Sequence, residues 1–220
     1  MIRIATMSLA ALALGATAWM IPNEYAALFD GDLSFDALVS RTNADQPAFA
    51  AAASYASTLP QLQSCITAQS NLTAMLYPPD LRTNVAEACL DRSDEILSDA
   101  PTSALAHTAK GISLAVLQRT DKAATELGLA RVLAPREGWI QNARLIALFA
   151  LNIGGVNLLD EDAKRDAQAM LRADGYYEQL ARLYISYPGQ RDWLTSALEG
   201  QDGNDQKRFL TAVRNIEQGQ

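Results

Sequence analysis

Two cysteines, one histidine and a run of three acids are the residues of this protein whose types could carry chemistry. Cys65 and Cys89 flank the turn Tyr77-Pro78-Pro79. If helices on the two sides pair about that turn, the thiols stand at similar heights, within reach of a disulfide. No CxxC spacing and no partner histidine accompanies them, so catalytic and metal roles fit poorly. A Cys65–Cys89 disulfide is expected, with two buried thiols as the alternative.

His107 is the sole histidine. That excludes multi-histidine metal sites and leaves a single candidate general base. On a helix it is expected to serve packing. Ser103 and Ser113 stand near it, with no GxSxG to make either a nucleophile. The acids Asp160, Glu161 and Asp162 are consecutive, so on a helix they point to different faces and cannot converge on one cation. They fit a helix N-terminus, where the backbone dipole favours negative charge. Gly154-Gly155 lacks the glycines and lysine of a phosphate loop and reads as a helix stop. Asn71-Leu72-Thr73 matches a glycosylation sequon inside an expected buried helix and is taken as chance. No catalytic residue, metal site or cofactor is therefore expected. A hydrolase built on a lone Glu or Asp is kept as an alternative, to be tested by a pocket with a desolvated carboxylate.

The elements that must position these residues are helical. Apolar residues recur at three- and four-residue steps over Ser103–Leu117 and Lys122–Leu133, with Asp121 as the expected N-cap of the second. Phe49–Ser57, Leu59–Leu76 and Asp80–Leu97 read as three earlier helices, with Pro60 in a first turn and Asp80 as a cap. Downstream helices are expected over Gly138–Asn152, Asp160–Arg172, Tyr176–Ser186, Asp192–Leu198 and Asp205–Ile216. No stretch alternates with a β-period, so the fold class is all-α.

Ala100-Pro101 and Ala134-Pro135 end two helical patterns one tetratricopeptide period apart. With Pro135 in the closing slot, Gly111 takes the glycine slot, and Ala123 and Ala130 take the small-residue slots of the second helix. Here the sequence resembles the tetratricopeptide family. His107, Lys110, Leu114 and Leu127 depart from its usual tryptophan, leucine, tyrosine and phenylalanine. Upstream, Cys89 takes a small slot and Pro101 a closing one, but Tyr77-Pro78-Pro79 breaks that frame. Downstream, Asn157 and Glu161 miss it. The resemblance implies an α-solenoid of antiparallel hairpins over 47–220, with an irregular helical bundle as the plainer reading. In such families the first helices line the concave face, which implies a groove of Leu105, Thr108, Ile112, Trp139, Asn142 and Ile146. It could receive a protein partner or be filled by the protein's own terminal helices.

Composition is that of a globular protein: 49% hydrophobic, 20% charged, formal net charge −7. Acidic balance without Lys/Arg runs argues against nucleic acid. Arg3 followed by the apolar run Ile4–Ile21, with Ala16-Thr17-Ala18 as a small-x-small site, reads as a secretory signal peptide or an uncleaved membrane anchor. Either places the body in the periplasm, free or tethered to the inner membrane. Residues 22–46 are expected to be a polar linker containing one amphipathic segment, Tyr25–Leu38. The aromatic group Tyr176, Tyr177, Tyr184, Tyr187 and Trp193, with Arg182 and Arg191, fits either recognition or the packing of the terminal helices. Together these features point to an exported, non-catalytic scaffold for a protein partner. The Pro101–Trp139 pattern, with two upstream cysteines and an exported body, also resembles small repeat proteins that accompany bacterial envelope-polysaccharide assembly.

Overall fold

In the computed structural model, residues 21, 24–27, 29–44, 46–52 and 54–219 are described, and among them there are helices and turns but no strand. Residues 1–20, which carry most of the signal or anchor reading, lie outside the described residues. Among the described ones no helix is long and apolar enough to cross a membrane.

After helical residues 24–27 and 29 come a 3₁₀ turn at Asp30–Asp32 and a short helix α1 (Phe35–Asn43), capped by the Ser34 hydroxyl on Ala37 N–H. This part of the expected linker packs into the body instead. Phe35, Leu38 and Val39 are buried with Leu62, Cys65 and Val85. Polar composition disguised it because its apolar residues lie on one narrow stripe of a nine-residue helix.

The expected helix Phe49–Ser57 does not form: residues 46–52 run without helical structure. Side groups from elsewhere have taken their backbone partners. Buried Asp30 accepts Ala50 N–H at 2.6 Å, Gln61 donates to Ala50 C=O at 2.9 Å, and Arg41 donates to Ala48 C=O at 2.9 Å. Phe49 drops into the core as this strap is tied down. Helix α2 (Tyr55–Ser70) starts at the Ser54 cap, which puts Pro60 in its second turn rather than its first. The proline removes one N–H there, opposite the exposed Ala56 carbonyl, which water can satisfy. Asn71 ends α2 and opens a 3₁₀ turn at Leu72–Leu76, its side-chain oxygen accepting Thr73 N–H at 3.0 Å. The sequon thus sits on an exposed turn, not inside a buried helix.

Helix α3 (Pro79–Asp99) begins directly on Pro79, so Asp80 stands in its first turn rather than capping it. Cys65 of α2 and Cys89 of α3, both fully buried, have their sulfurs 2.10 Å apart and their Cα atoms 5.6 Å apart. They form a disulfide pair. Helix α4 (Ala104–Val116), capped by Ser103, turns into α5 (Thr120–Leu133) through Gln118, whose φ of 60° makes the turn tight. That tightness starts α5 two residues early and leaves Asp121 inside its first turn, without a capping bond. Helices α6 (Gly138–Ile153), α7 (Glu161–Arg172), α8 (Tyr176–Ser186), α9 (Arg191–Leu198) and α10 (Gly203–Glu217) complete the fold. Asp160 caps α7 by accepting Ala163 N–H at 2.9 Å, as its place at a helix start suggested.

Successive helices pack as neighbours: α2 on α3, α3 on α4, α4 on α5, α6 on α7, α7 on α8. The small residues matter most between α4 and α5. A Cβ on Gly111 would stand 2.7 Å from Leu127 Cγ and 3.3 Å from the Ala123 carbonyl. Ala123 and Ala130 are fully buried, so the two backbones meet over side groups of hydrogen and methyl size. Two apolar cores result. One joins α1, α2, α3 and the first half of α4 with Ala147 of α6, the other joins the end of α4 to α5–α10, and a small third cluster holds Ala104, Ala134 and Ile140. Helix α4 runs through both cores, so it ties the halves together.

A neutral groove between α2, α6 and α8

Helices α2, α4 and α6 pack pairwise against one another, forming a closed triangle. This decides the fate of the expected groove residues. Thr108 and Ile112 lie at the centre of the triangle with no exposed surface, and the Thr108 hydroxyl donates to Ala104 C=O. They line nothing accessible, because α2 covers that part of the face. Leu105, Trp139, Asn142 and Ile146 come together where the triangle opens towards α8, in a groove of about 490 Å³.

The floor of this groove is aliphatic, formed by Ile66, Leu105, Ala143 and Ile146. Aromatic rings flank it: Trp139, 45% exposed, and Tyr176 at the start of α8. Tyr176 can lie there because residue 138 is glycine. A Cβ at Gly138 would stand 2.4 Å from the tyrosine ring, so any larger residue would push that ring away from α6. The rim is carboxamide and hydroxyl: Gln63, Thr67 and Asn71 along α2, Asn142 on α6 and Gln179 on α8. None of the groove's lining residues carries a charge. In a protein with 20% charged residues, that is a distinct surface.

The other candidate groups are engaged elsewhere. His107 Nδ1 meets Glu126 Oε2 at 2.6 Å and Nε2 meets Pro101 C=O at 3.0 Å. Both ring nitrogens are therefore engaged within the fold, one with a carboxylate and one with a backbone carbonyl. Lys110 bridges Glu126 and Asp94, each at 2.9 Å. Burial works against the Glu126 carboxylate, but the bonds from His107 and Lys110 outweigh it and hold its pKa below the usual 4.5. Burial likewise works against the Lys110 ammonium, yet its bonds to Asp94 and Glu126 raise its pKa above 10.5. Ser103 caps α4 and meets the Tyr55 hydroxyl at 2.8 Å, while Ser113 donates to Ala109 C=O.

The buried carboxylates are also paired. Asp166 accepts two bonds from fully buried Arg144, at 2.9 and 2.7 Å, and one from Arg131 at 3.0 Å. This triad joins α5, α6 and α7. Asp30 accepts from Arg41 at 2.8 Å and from Gln61 at 3.0 Å, and Gln61 in turn accepts from Arg92 at 2.8 Å. Sequence reasoning missed both networks. The available signal was Arg144 itself, a cation inside an apolar helix that must find a buried partner. Among the described residues, no three His, Cys, Asp or Glu side groups gather as a metal site would. In the acidic run, Asp160 caps α7 and Asp162 pairs with Arg165, while Glu161 stays exposed.

The terminal aromatic group divides. Tyr187 and Trp193 stack edge-on against Phe149 at 5.5 and 5.6 Å, and Tyr184 meets Phe209 at 5.7 Å. Arg191 lies over Tyr184, and Arg208 lies over Tyr177. These rings fasten the last helices to the core, and Tyr176 alone among the five reaches the groove. Compared with known proteins, the sequence and fold match no family model, no curated protein and no solved structure.

Proposed function

We propose that the protein is an exported or membrane-tethered scaffold of tetratricopeptide type, which holds a protein partner in the α2–α6–α8 groove and carries no reactive centre. In this reading α2, α4 and α6 are first helices and α3, α5 and α7 are second helices of a tightly curved solenoid. The body lies in the periplasm, free or anchored through the N-terminal apolar run. The Cys65–Cys89 pair is compatible with an oxidising compartment. The single observation that carries the reading is Trp139, which among the described large hydrophobics left exposed at the surface is the one that lies in this groove, 45% exposed beside an aliphatic floor. Aromatic anchors of this kind dominate binding energy at protein interfaces.

The test is site-specific photo-crosslinking in the native cell. A benzophenone amino acid at Asn142, in the groove, is compared with one at Lys207, on α10. A discrete adduct at 142 that disappears with Trp139→Ala, and is absent from 207, supports the groove. Equal labelling at both positions, or none at 142, overturns it.

A further inference from the structure

Resting on that reading, we infer that the groove takes an extended, uncharged peptide segment, held through its backbone by a polar row on α2. Gln63 and Thr67 lie one turn apart on α2, Asn71 follows four residues on as its C-cap, and each is exposed. At about 1.5 Å rise per residue, such a row repeats every 6 Å or so. An extended peptide advances about 3.3 Å per residue, so groups on one edge of it recur at roughly 6.6 Å. The two periods differ by about a tenth. Over its three members the row therefore stays in step with about five residues of peptide.

The chemistry of the row matches as well. Gln and Thr each offer a donor and an acceptor, the complement of backbone carbonyl and N–H groups. Asn71 uses its side-chain oxygen on Thr73 N–H, which leaves its NH₂ as a donor for a carbonyl. Residues at alternate positions of the peptide would then point down to Ile66, Leu105 and Ile146 and sideways to Trp139. That aliphatic floor disfavours an oligosaccharide, whose hydroxyls would lose water there without gaining partners. The absence of charge in the lining disfavours acidic or basic segments, whose ions would be desolvated unpaired.

The test uses the purified full-length protein and a displayed library of random nonapeptides, selected in parallel on the wild type and on Trp139→Ala. The expected result is a Trp139-dependent set with an uncharged core and apolar residues at every second position. N-methylation of backbone amides at alternate positions should weaken these peptides about tenfold, while methylation of the intervening amides should not. Gln63→Ala with Thr67→Ala, both at exposed helix positions, should cost a further factor of about ten, the loss of two hydrogen bonds. Trp139-dependent peptides with three- and four-residue apolar spacing, or with a charged core, would overturn the extended mode and leave the groove standing. Displacement of the peptides by a neutral glucan oligosaccharide at comparable concentration would do the same. Failure to recover any Trp139-dependent peptide would overturn both the inference and the groove.

Discussion

The contact between α4 and α5 can be weighed with two glycines that differ in one respect. Gly111 and Gly128 both lie inside helices, so replacing either with alanine removes the conformational cost of a helical glycine, about 1 kcal/mol. Around Gly128 a new Cβ meets nothing within 4 Å. Around Gly111 it meets Leu127 Cγ at 2.7 Å and the Ala123 carbonyl at 3.3 Å. Cγ is the branch point of Leu127 rather than its flexible end, and Ala123 belongs to a packed backbone, so neither yields freely. Overpacking of this kind costs about 1–3 kcal/mol. Gly128→Ala should therefore stabilise by about 0.5–1 kcal/mol, and Gly111→Ala should be neutral to destabilising by about 2 kcal/mol. The difference between the two variants reports the contact itself, free of helix propensity. Urea unfolding followed by far-ultraviolet circular dichroism measures it, and at this length 1 kcal/mol moves Tm by about 2–4 °C. If Gly111→Ala raised the midpoint as much as Gly128→Ala, the close approach of α4 and α5 would be refuted.

Asp166→Asn leaves Arg144 charged, buried and poorly paired, which should cost about 3–5 kcal/mol. The double change Arg144→Met with Asp166→Leu should cost much less, and equal losses in thermal denaturation would argue against the triad. Glu126 is held below its usual pKa in the folded state, so the stability it contributes is present above about pH 4.5 and is lost as the pH falls through the folded value. Acid titration of Tm should therefore be flatter below pH 4.5 in Glu126→Gln than in the wild type, and superimposable curves would discount the cluster. Lys110 works in the opposite direction, since its raised pKa lends stability that persists through pH 10.5 and fades only at higher pH. Under denaturing, non-reducing conditions neither Cys65 nor Cys89 should react with a thiol reagent, and labelling of both would exclude the bridge.

Features that depend on local spacing are legible in the sequence. The helical period, the α4–α5 hairpin with its glycine and alanine contacts, the cap at Asp160 and the cysteine pair all follow from residues close in sequence or related by one turn. The errors cluster where a distant residue intervenes. Alanine-rich 49–57 has high helix propensity, yet the buried carboxylate of Asp30 and the amide of Gln61 take up backbone groups there and hold 46–52 as a strap. Neither partner can be found by periodicity, because each lies outside the segment's own window. Residues 30–44 read as a connector for the same reason, since Phe35 and Leu38 become core only when α3 lies beside them.

The groove shows the same division more sharply. Choosing residues from the first helices alone assumes that those helices line an open face, and that holds only if their curvature keeps them apart. Here α2 touches both α4 and α6, so the middle of the face is sealed and Thr108 and Ile112 become core. The part that survives is displaced to the side, where α8 supplies a second wall. Its position depends on one residue that carries no binding chemistry, Gly138, because only a missing Cβ lets Tyr176 lie against α6 next to Trp139. Gly138→Ala therefore separates shape from composition. Every polar and aromatic group of the groove remains present, yet the Tyr176 ring must move. If the lining chemistry alone governed binding, the peptides selected by the wild type would bind this variant unchanged. If the wall matters, they should lose affinity while the fold, read by circular dichroism, stays intact.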